Sequence, residues 1–444
     1  MTQTTSAPPP PATFSANAPQ AAAPDPQQPA TPPQRKQGPV AAWFDGTPGR
    51  MRTLLIALAV VAVLFGAAAA QGFSVSGGAL QRAEENTDQL VRIQSIHTNL
   101  VSANADATNS FLVGGLEPPA QRQHFDDSMA TAARLISEAA TAQPADQKAL
   151  GELNTTLLTY QGLIEQARAN NRQGLPIGSQ YLKNASTLLQ EDSLPVLTSL
   201  VKANENRVST EFDGVGGGNA WLLIAGLITL IMLVLGLIWL AKRTHRYLNL
   251  PIAAAAVLVL LTMLIGGTSL ASASGKAEDT KDHSYANTLA LSRARIAAYD
   301  AKSNESLTLI ARGSGTEFQD KWVAAAKSAD DQLAVGGITN PGLQDAWAEY
   351  KTVHAAIRKD DDGGQWDLAV TKAIGTSGTT ANATFKTFDD ASGKRLTELS
   401  EASRSELSDA RGGLPPIGWL GLPIGIVAAL LIAWGVSQRL EEYR

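Results

Sequence analysis

The densest hydrogen-bonding chemistry in this 444-residue chain lies in two polar turns, ARANNRQG at 167–174 and IRKDDDGG at 357–364. Arg168, Asn171 and Arg172 in the first, and Arg358, Asp360, Asp361 and Asp362 in the second, could hold a ligand or a partner protein through charge-assisted hydrogen bonds. A solvated turn is the plainer reading, since exposed turns are polar in any case. A second polar set, Asp106 with Asn109 and Asn304 with Glu305, falls on the seams of two helices. A polar group on a seam more often fixes register or pairing than binds a ligand. A third set, Lys242, Arg243 and Arg246, separates two long apolar runs and reads as a topology determinant and a cytoplasmic output contact.

No catalytic constellation assembles from the remaining residues. His97, His124, His245, His283 and His354 are scattered without metal-ligand spacing. Cysteine is absent, which removes disulfides and thiolate sites, and no glycine loop precedes a basic residue as a phosphate cradle would require. The expectation is a chain without enzymatic activity, metal or cofactor.

These residues are positioned by four uncharged apolar runs, 53–73, 219–241, 250–272 and 414–436. Each can cross a hydrocarbon core of about 30 Å at about 1.5 Å per residue. Pro251 stands at the first turn of the third, where a missing amide costs least. The basic loop 242–249 puts the hairpin between spans two and three on the cytoplasmic side. Both ends of the chain are then cytoplasmic, and 74–217 and 273–413 lie outside. Charge agrees: 74–217 carries 10 Lys plus Arg against 16 Asp plus Glu, 273–413 carries 17 against 21, and the remainder 9 against 4. No outer patch is basic enough to follow a phosphate backbone, so nucleic acid is not expected as a partner. The first run reads as an uncleaved anchor rather than a signal peptide, because a long segment precedes it. Residues 1–52, Pro-rich and poor in large apolar side chains, read as a disordered cytoplasmic tail, and 437–444 as a short cytoplasmic end. Pro8 to Pro11 could dock in an aromatic groove, although a solvated tail is the simpler reading.

Segment 74–217 reads as four helices. Ile93, Ile96, Leu100, Ala103 and Ala107 mark the first seam; Phe125, Met129, Ala132, Ile136 and Ala139 the second. Leu150, Leu153, Leu157, Tyr160, Ile164 and Ala167 mark the third, and Leu182, Ala185, Leu189 and Val196 the fourth, where Pro195 predicts a kink. The second outer segment repeats the first: SFLVGG at 110–115 matches TLIARG at 308–313, Phe125 and Met129 match Phe318 and Trp322, and Tyr160 and Gly174 match Tyr350 and Gly364. The fold expected is an all-α membrane protein, with four transmembrane helices and two extracytoplasmic four-helix bundles in tandem duplication. Glycines at 77–78, 214, 216–218, 266–267 and 412–413 favour jointed over rigid coupling between bundles and spans, unless they serve close packing, as Gly421 and Gly425 would.

With this plan, NESLTLIARG at 304–313 and YQGLIEQARANNRQGLPIGSQYL at 160–182 resemble the actinobacterial GlnX-type membrane proteins. The resemblance implies a plasma-membrane sensor associated with an extracytoplasmic glutamine-binding lipoprotein and with the cytosolic serine/threonine protein kinase G. It would relay glutamine-, asparagine- or aspartate-type availability to nitrogen and central carbon metabolism. It supplies no site residues, so those above stand on the sequence alone. A homodimer is compatible with it. Two other readings stay open: a chemoreceptor-like sensor that binds a small molecule directly in its bundles, and a structural scaffold of the cell envelope.

Overall fold

The computed structural model of the chain describes residues 46–113, 116–244, 249–335, 338, 341–375 and 378–441. Most of the expected tail, with Pro8 to Pro11, lies outside the described residues, as do Gly114, Gly115, His245, Arg246 and 442–444. The chain divides into two units, 1–53 and 54–444. Of the first, residues 46–53 are described and are helical, so the last part of the expected tail is ordered helix. Pro48 falls in that opening turn, where it loses no helical hydrogen bond.

The described residues form helices and turns, with no strand among them. Helix α1 runs Gly46–Val113, followed by α2 Pro119–Ala142, α3 Gln147–Arg172, α4 Ile177–Leu188, α5 Leu194–Val215 and α6 Gly217–Thr244. After the hairpin come α7 Leu250–Thr280, α8 Ala286–Ile310, α9 Thr316–Leu333, α10 Pro341–Asp362, α11 Trp366–Ile374, α12 Ala381–Gly412 and α13 Ile417–Glu441. Four of these stretches are long and apolar enough to cross a membrane. Large apolar side chains stand exposed along them, among them Leu64, Ile224, Ile265 and Leu430, as lipid-facing positions require. The protein is an all-α membrane protein.

The seams expected for α2 and α3 are buried at every position named, from Phe125 to Ala139 and from Leu150 to Ala167. The fourth helix departs from expectation in a way its backbone explains. A π turn at Leu189–Ser193 separates α4 from α5. The turn inserts one residue into the helical count, so Leu197 is buried while Val196 is only partly covered. Pro195 sits in the first turn of α5, where its missing amide is tolerated. The corresponding place in the second copy is a full break between α11 and α12, where Gly378 adopts φ +73°.

The glycine joints are corrected in part. α1 passes through Gly77 and Gly78 without interruption, and α7 passes through Gly266 and Gly267. Breaks occur only on the returning helices: a single-residue turn at Gly216, and residues 413–416 with Pro415 and Pro416. Several span glycines serve close packing instead. A Cβ on Gly66 would lie 2.5 Å from the Gly421 carbonyl oxygen and 2.8 Å from Gly425 Cα, so α1 and α13 touch backbone to backbone.

The two bundles also fuse. One contiguous buried core draws Leu90 to Val201 from the first and Ala290 to Leu399 from the second. α1 and α8 lie at its centre. Along α8 every residue from Ala301 to Leu309 is buried, and along α1 every residue from Leu100 to Ser110 except Asp106. Alanine, serine and asparagine dominate these stretches, and such small side chains let helices approach closely from all sides.

Candidate functional site

The polar turns expected to carry contacts end α3 and α10, and both close on a left-handed glycine, Gly174 with φ +67° and Gly364 with φ +75°. Arg168, Asn171 and Arg172 line a pocket of about 220 Å³ together with Glu117 and Arg122. Arg168 is already engaged there. It pairs with Glu117 at 3.0 Å and Glu165 at 2.8 Å, and its guanidinium lies 4.2 Å from the centre of the Phe125 ring. Asn171 donates to the Phe111 carbonyl at 3.4 Å. In the second copy the charges neutralise one another: Arg358 pairs with Asp361 at 2.5 Å and with Asp362, and Asp360 pairs with Lys372 at 2.5 Å. Lys242 and Arg243 occupy the last turn of α6, where cations complement the helix dipole; Arg246 is outside the described residues.

The polar seam divides into different environments. Asp106 bonds His124 Nδ1 at 2.6 Å, a contact that raises the His124 pKa. Asn109 and Asn304 are buried, and each has a side-chain oxygen with no partner. Glu305 belongs to a cluster that the sequence did not announce. Its carboxylate meets Lys302 Nζ at 2.7 Å and His354 Nδ1 at 2.8 Å, and all three side chains are buried. Burial pushes the Glu305 carboxyl up, but Lys302 and His354 outweigh it and hold its pKa down at about 2. The His354 ring stacks on Trp322 with centroids 3.6 Å apart, and Trp322 Nε1 donates to the Tyr350 hydroxyl at 3.3 Å.

In the first copy, the position matching Lys302 is Asn104. Its Nδ2 donates to Ser303 Oγ at 2.7 Å, while its Oδ1 accepts from Ser186 at 2.9 Å and Tyr160 at 3.3 Å. A further network centres on buried Asp146, which accepts from Arg207 and Asn204 at 2.9 Å and from Gln89 at 3.1 Å. Burial raises the Asp146 carboxyl, yet these donors bring it net below its usual range.

Two clefts open where the bundles meet. The first, about 380 Å³, lies between α1, α2, α8 and α12 and is lined by Asp106, Asn109, His124, Tyr299, Lys302 and Asp389. The second, about 480 Å³, lies between α1, α5, α8 and α9, with Gln94, His97, Lys202, Glu205, Arg293 and Asp300 in its wall. Exchanging the two copies turns one set of helices into the other, as the repeat demands. Their chemistry differs. In the first cleft the principal charges are paired, Asp106 with His124 and Asp389 with Arg295 at 2.7 Å. In the second, Gln94 Nε2 and His97 Nε2 are buried without partners. Burial alone lowers the His97 pKa to about 4 and raises that of Asp300 to about 7. No sequence pattern marked Gln94, His97 or Asp300; the one available signal was their polarity close to the helix seams.

Membrane-capable helices and paired helical bundles define a multi-pass membrane protein. Residues 79–213, which make up most of the first bundle, match the family model of the actinobacterial sensor domain, and the match supports a sensing role. No curated protein and no solved structure matches the chain.

Proposed function

We propose that the chain is a non-enzymatic transmembrane signal transducer whose bundles lie outside the plasma membrane and whose ends and central hairpin lie inside. The observation that carries this reading is α1: one uninterrupted helix serves as membrane-capable span and as central helix of the fused bundles. A shift or rotation imposed on the bundle core is therefore passed directly to the span, with no flexible joint to absorb it. The sensor-domain match over 79–213 supports the same reading.

In its finer form the signal is amino-acid availability, read by a solute-binding lipoprotein and relayed to a cytosolic serine/threonine kinase. That form rests on the resemblance carried by 160–182 and 304–313. Arg168, Asn171 and Arg172 around their small pocket form the proposed outer contact. Lys242, Arg243 and Arg246 form the proposed inner one. Crosslinking in intact cells followed by affinity capture of the chain tests the relay. Recovery of a solute-binding lipoprotein is expected, and its loss on charge reversal of Arg168 and Arg172 would place the contact. If no such lipoprotein is enriched over an unrelated membrane bait, the relay through a binding protein is wrong.

A further inference from the structure

The cleft between α1, α5, α8 and α9 combines features that are costly for folding alone. Gln94 and His97 are buried beside it, with side-chain nitrogens that meet no protein partner. An orphaned polar atom of this kind is destabilising, because it gives up its bonds to water and gains none in return. Asp300 adds a part-buried carboxyl on the same wall, and among the described residues no cation is bonded to it. The two cations that line the cleft are engaged or distant from its inner wall, since Arg293 pairs with Glu205 and Lys202 stands exposed. α9 contributes only uncharged residues, Ala325, Ser328 and Gln332. The cleft wall therefore carries one uncompensated acid together with an amide and a neutral imidazole.

We propose that this cleft binds a small primary amine, its ammonium ion-paired to the Asp300 carboxylate and hydrogen-bonded to Gln94 and His97. The chemistry matches in number and in kind. An ammonium group has three N–H donors. A carboxylate oxygen, an amide oxygen and an unprotonated imidazole nitrogen are three acceptors, and the Gln94 amide presents its oxygen by turning about its last bond. His97 stays unprotonated near neutral pH because burial disfavours its charged form. The cation also supplies the counter-charge that Asp300 lacks. If the ligand carries a carboxylate as well, Lys202 at the rim is placed to meet it.

Because the cleft is walled by helices of both copies, an occupant would bridge α1 and α8 and bias their packing. This inference goes beyond the relay reading, since direct binding requires no partner protein, and each can fail while the other stands.

The test uses the full chain in lipid nanodiscs, titrated calorimetrically above neutral pH with ethanolamine, glycine and acetate. Saturable heat is expected with an amine and none with acetate. Asp300→Asn should weaken amine binding about tenfold or more, the loss of about one charge-assisted contact. Its unliganded melting temperature should be unchanged or higher, because the variant removes an unpaired acid, and that separates lost binding from lost folding. Lys202→Ala distinguishes the sources of the amine: weaker glycine binding with unchanged ethanolamine binding indicates an amino acid, and equal effects indicate a simple amine. Absence of saturable heat with both amines, acetate binding as tight as theirs, or amine binding that survives Asp300→Asn overturns the proposal.

Discussion

Asn104 donates a 2.7 Å hydrogen bond to Ser303, joining the central helix of the first bundle to that of the second. Both side chains are buried, and the same Asn104 accepts from Ser186 and Tyr160 of its own bundle. One amide thus ties α1 to α3, α4 and α8. A polar group so placed specifies how the helices align, because any slip in register leaves buried donors unpaired.

Asn104→Leu should therefore destabilise by about 2–4 kcal/mol, from three lost hydrogen bonds of about 1 kcal/mol each and a stranded Tyr160 hydroxyl. Thermal unfolding in nanodiscs reads this. Probes in the two bundles should also report one common transition, because they share a core; separate midpoints in the wild-type chain would contradict a fused body.

For the buried Lys302, Glu305 and His354 cluster, removing one partner should cost more than removing two. Glu305→Gln strands Lys302 in the core, at about 3–5 kcal/mol. The double change Lys302→Met with Glu305→Gln should recover part of that loss. A double-mutant cycle measures the difference, and strict additivity would mean that the two groups do not interact.

Asp300 and Glu305 should respond to pH in opposite ways. The folded-state pKa of Asp300, about 7, lies above its unfolded value of about 4, so its contribution is intact in acid and lost as pH rises through 7. The stability gain of Asp300→Asn over wild type should then be near zero at the acid end of that window and largest above it. Glu305, held at about 2, contributes above its unfolded value and loses that contribution as pH falls toward its folded one. Melting temperatures of wild type and single variants across this range separate the two. A gain for Asp300→Asn that shrinks as pH rises would refute the assignment.

Gly66→Val should force α1 and α13 apart, because what a new side chain would meet is the backbone of Gly421 and Gly425 rather than a flexible side chain. Overpacking of this kind costs about 1–3 kcal/mol. Gly162→Ala, where nothing lies near the added carbon, is the control and should be neutral or slightly stabilising. Equal melting temperatures for both variants would show that the spans do not depend on this contact.

Four spans, a repeat, and the buried faces of α2 and α3 are legible in the order of residues alone. In each case the signal is local. A span needs only a long uncharged run, and a helix with one buried face shows it as a step of three and four, as Phe125 to Ala139 do. The same logic placed Arg168, Asn171 and Arg172 together on one turn, but it could not see that Glu117 and Phe125 would engage Arg168.

That the bundles fuse, and that α1 over 100–110 and α8 over 301–309 are packed on nearly every side, follows only from the three-dimensional arrangement. A helix buried all round has no periodic face to read, and the residues that let α8 sit there, Lys302 to Thr308, are mostly polar and resemble a solvated surface. Their burial is made tolerable by partners far away in sequence, His354 for Glu305 and Asn104 for Ser303. One exception to that pairing, Asp300 with Gln94 and His97, became visible only once four helices from both copies had closed around it.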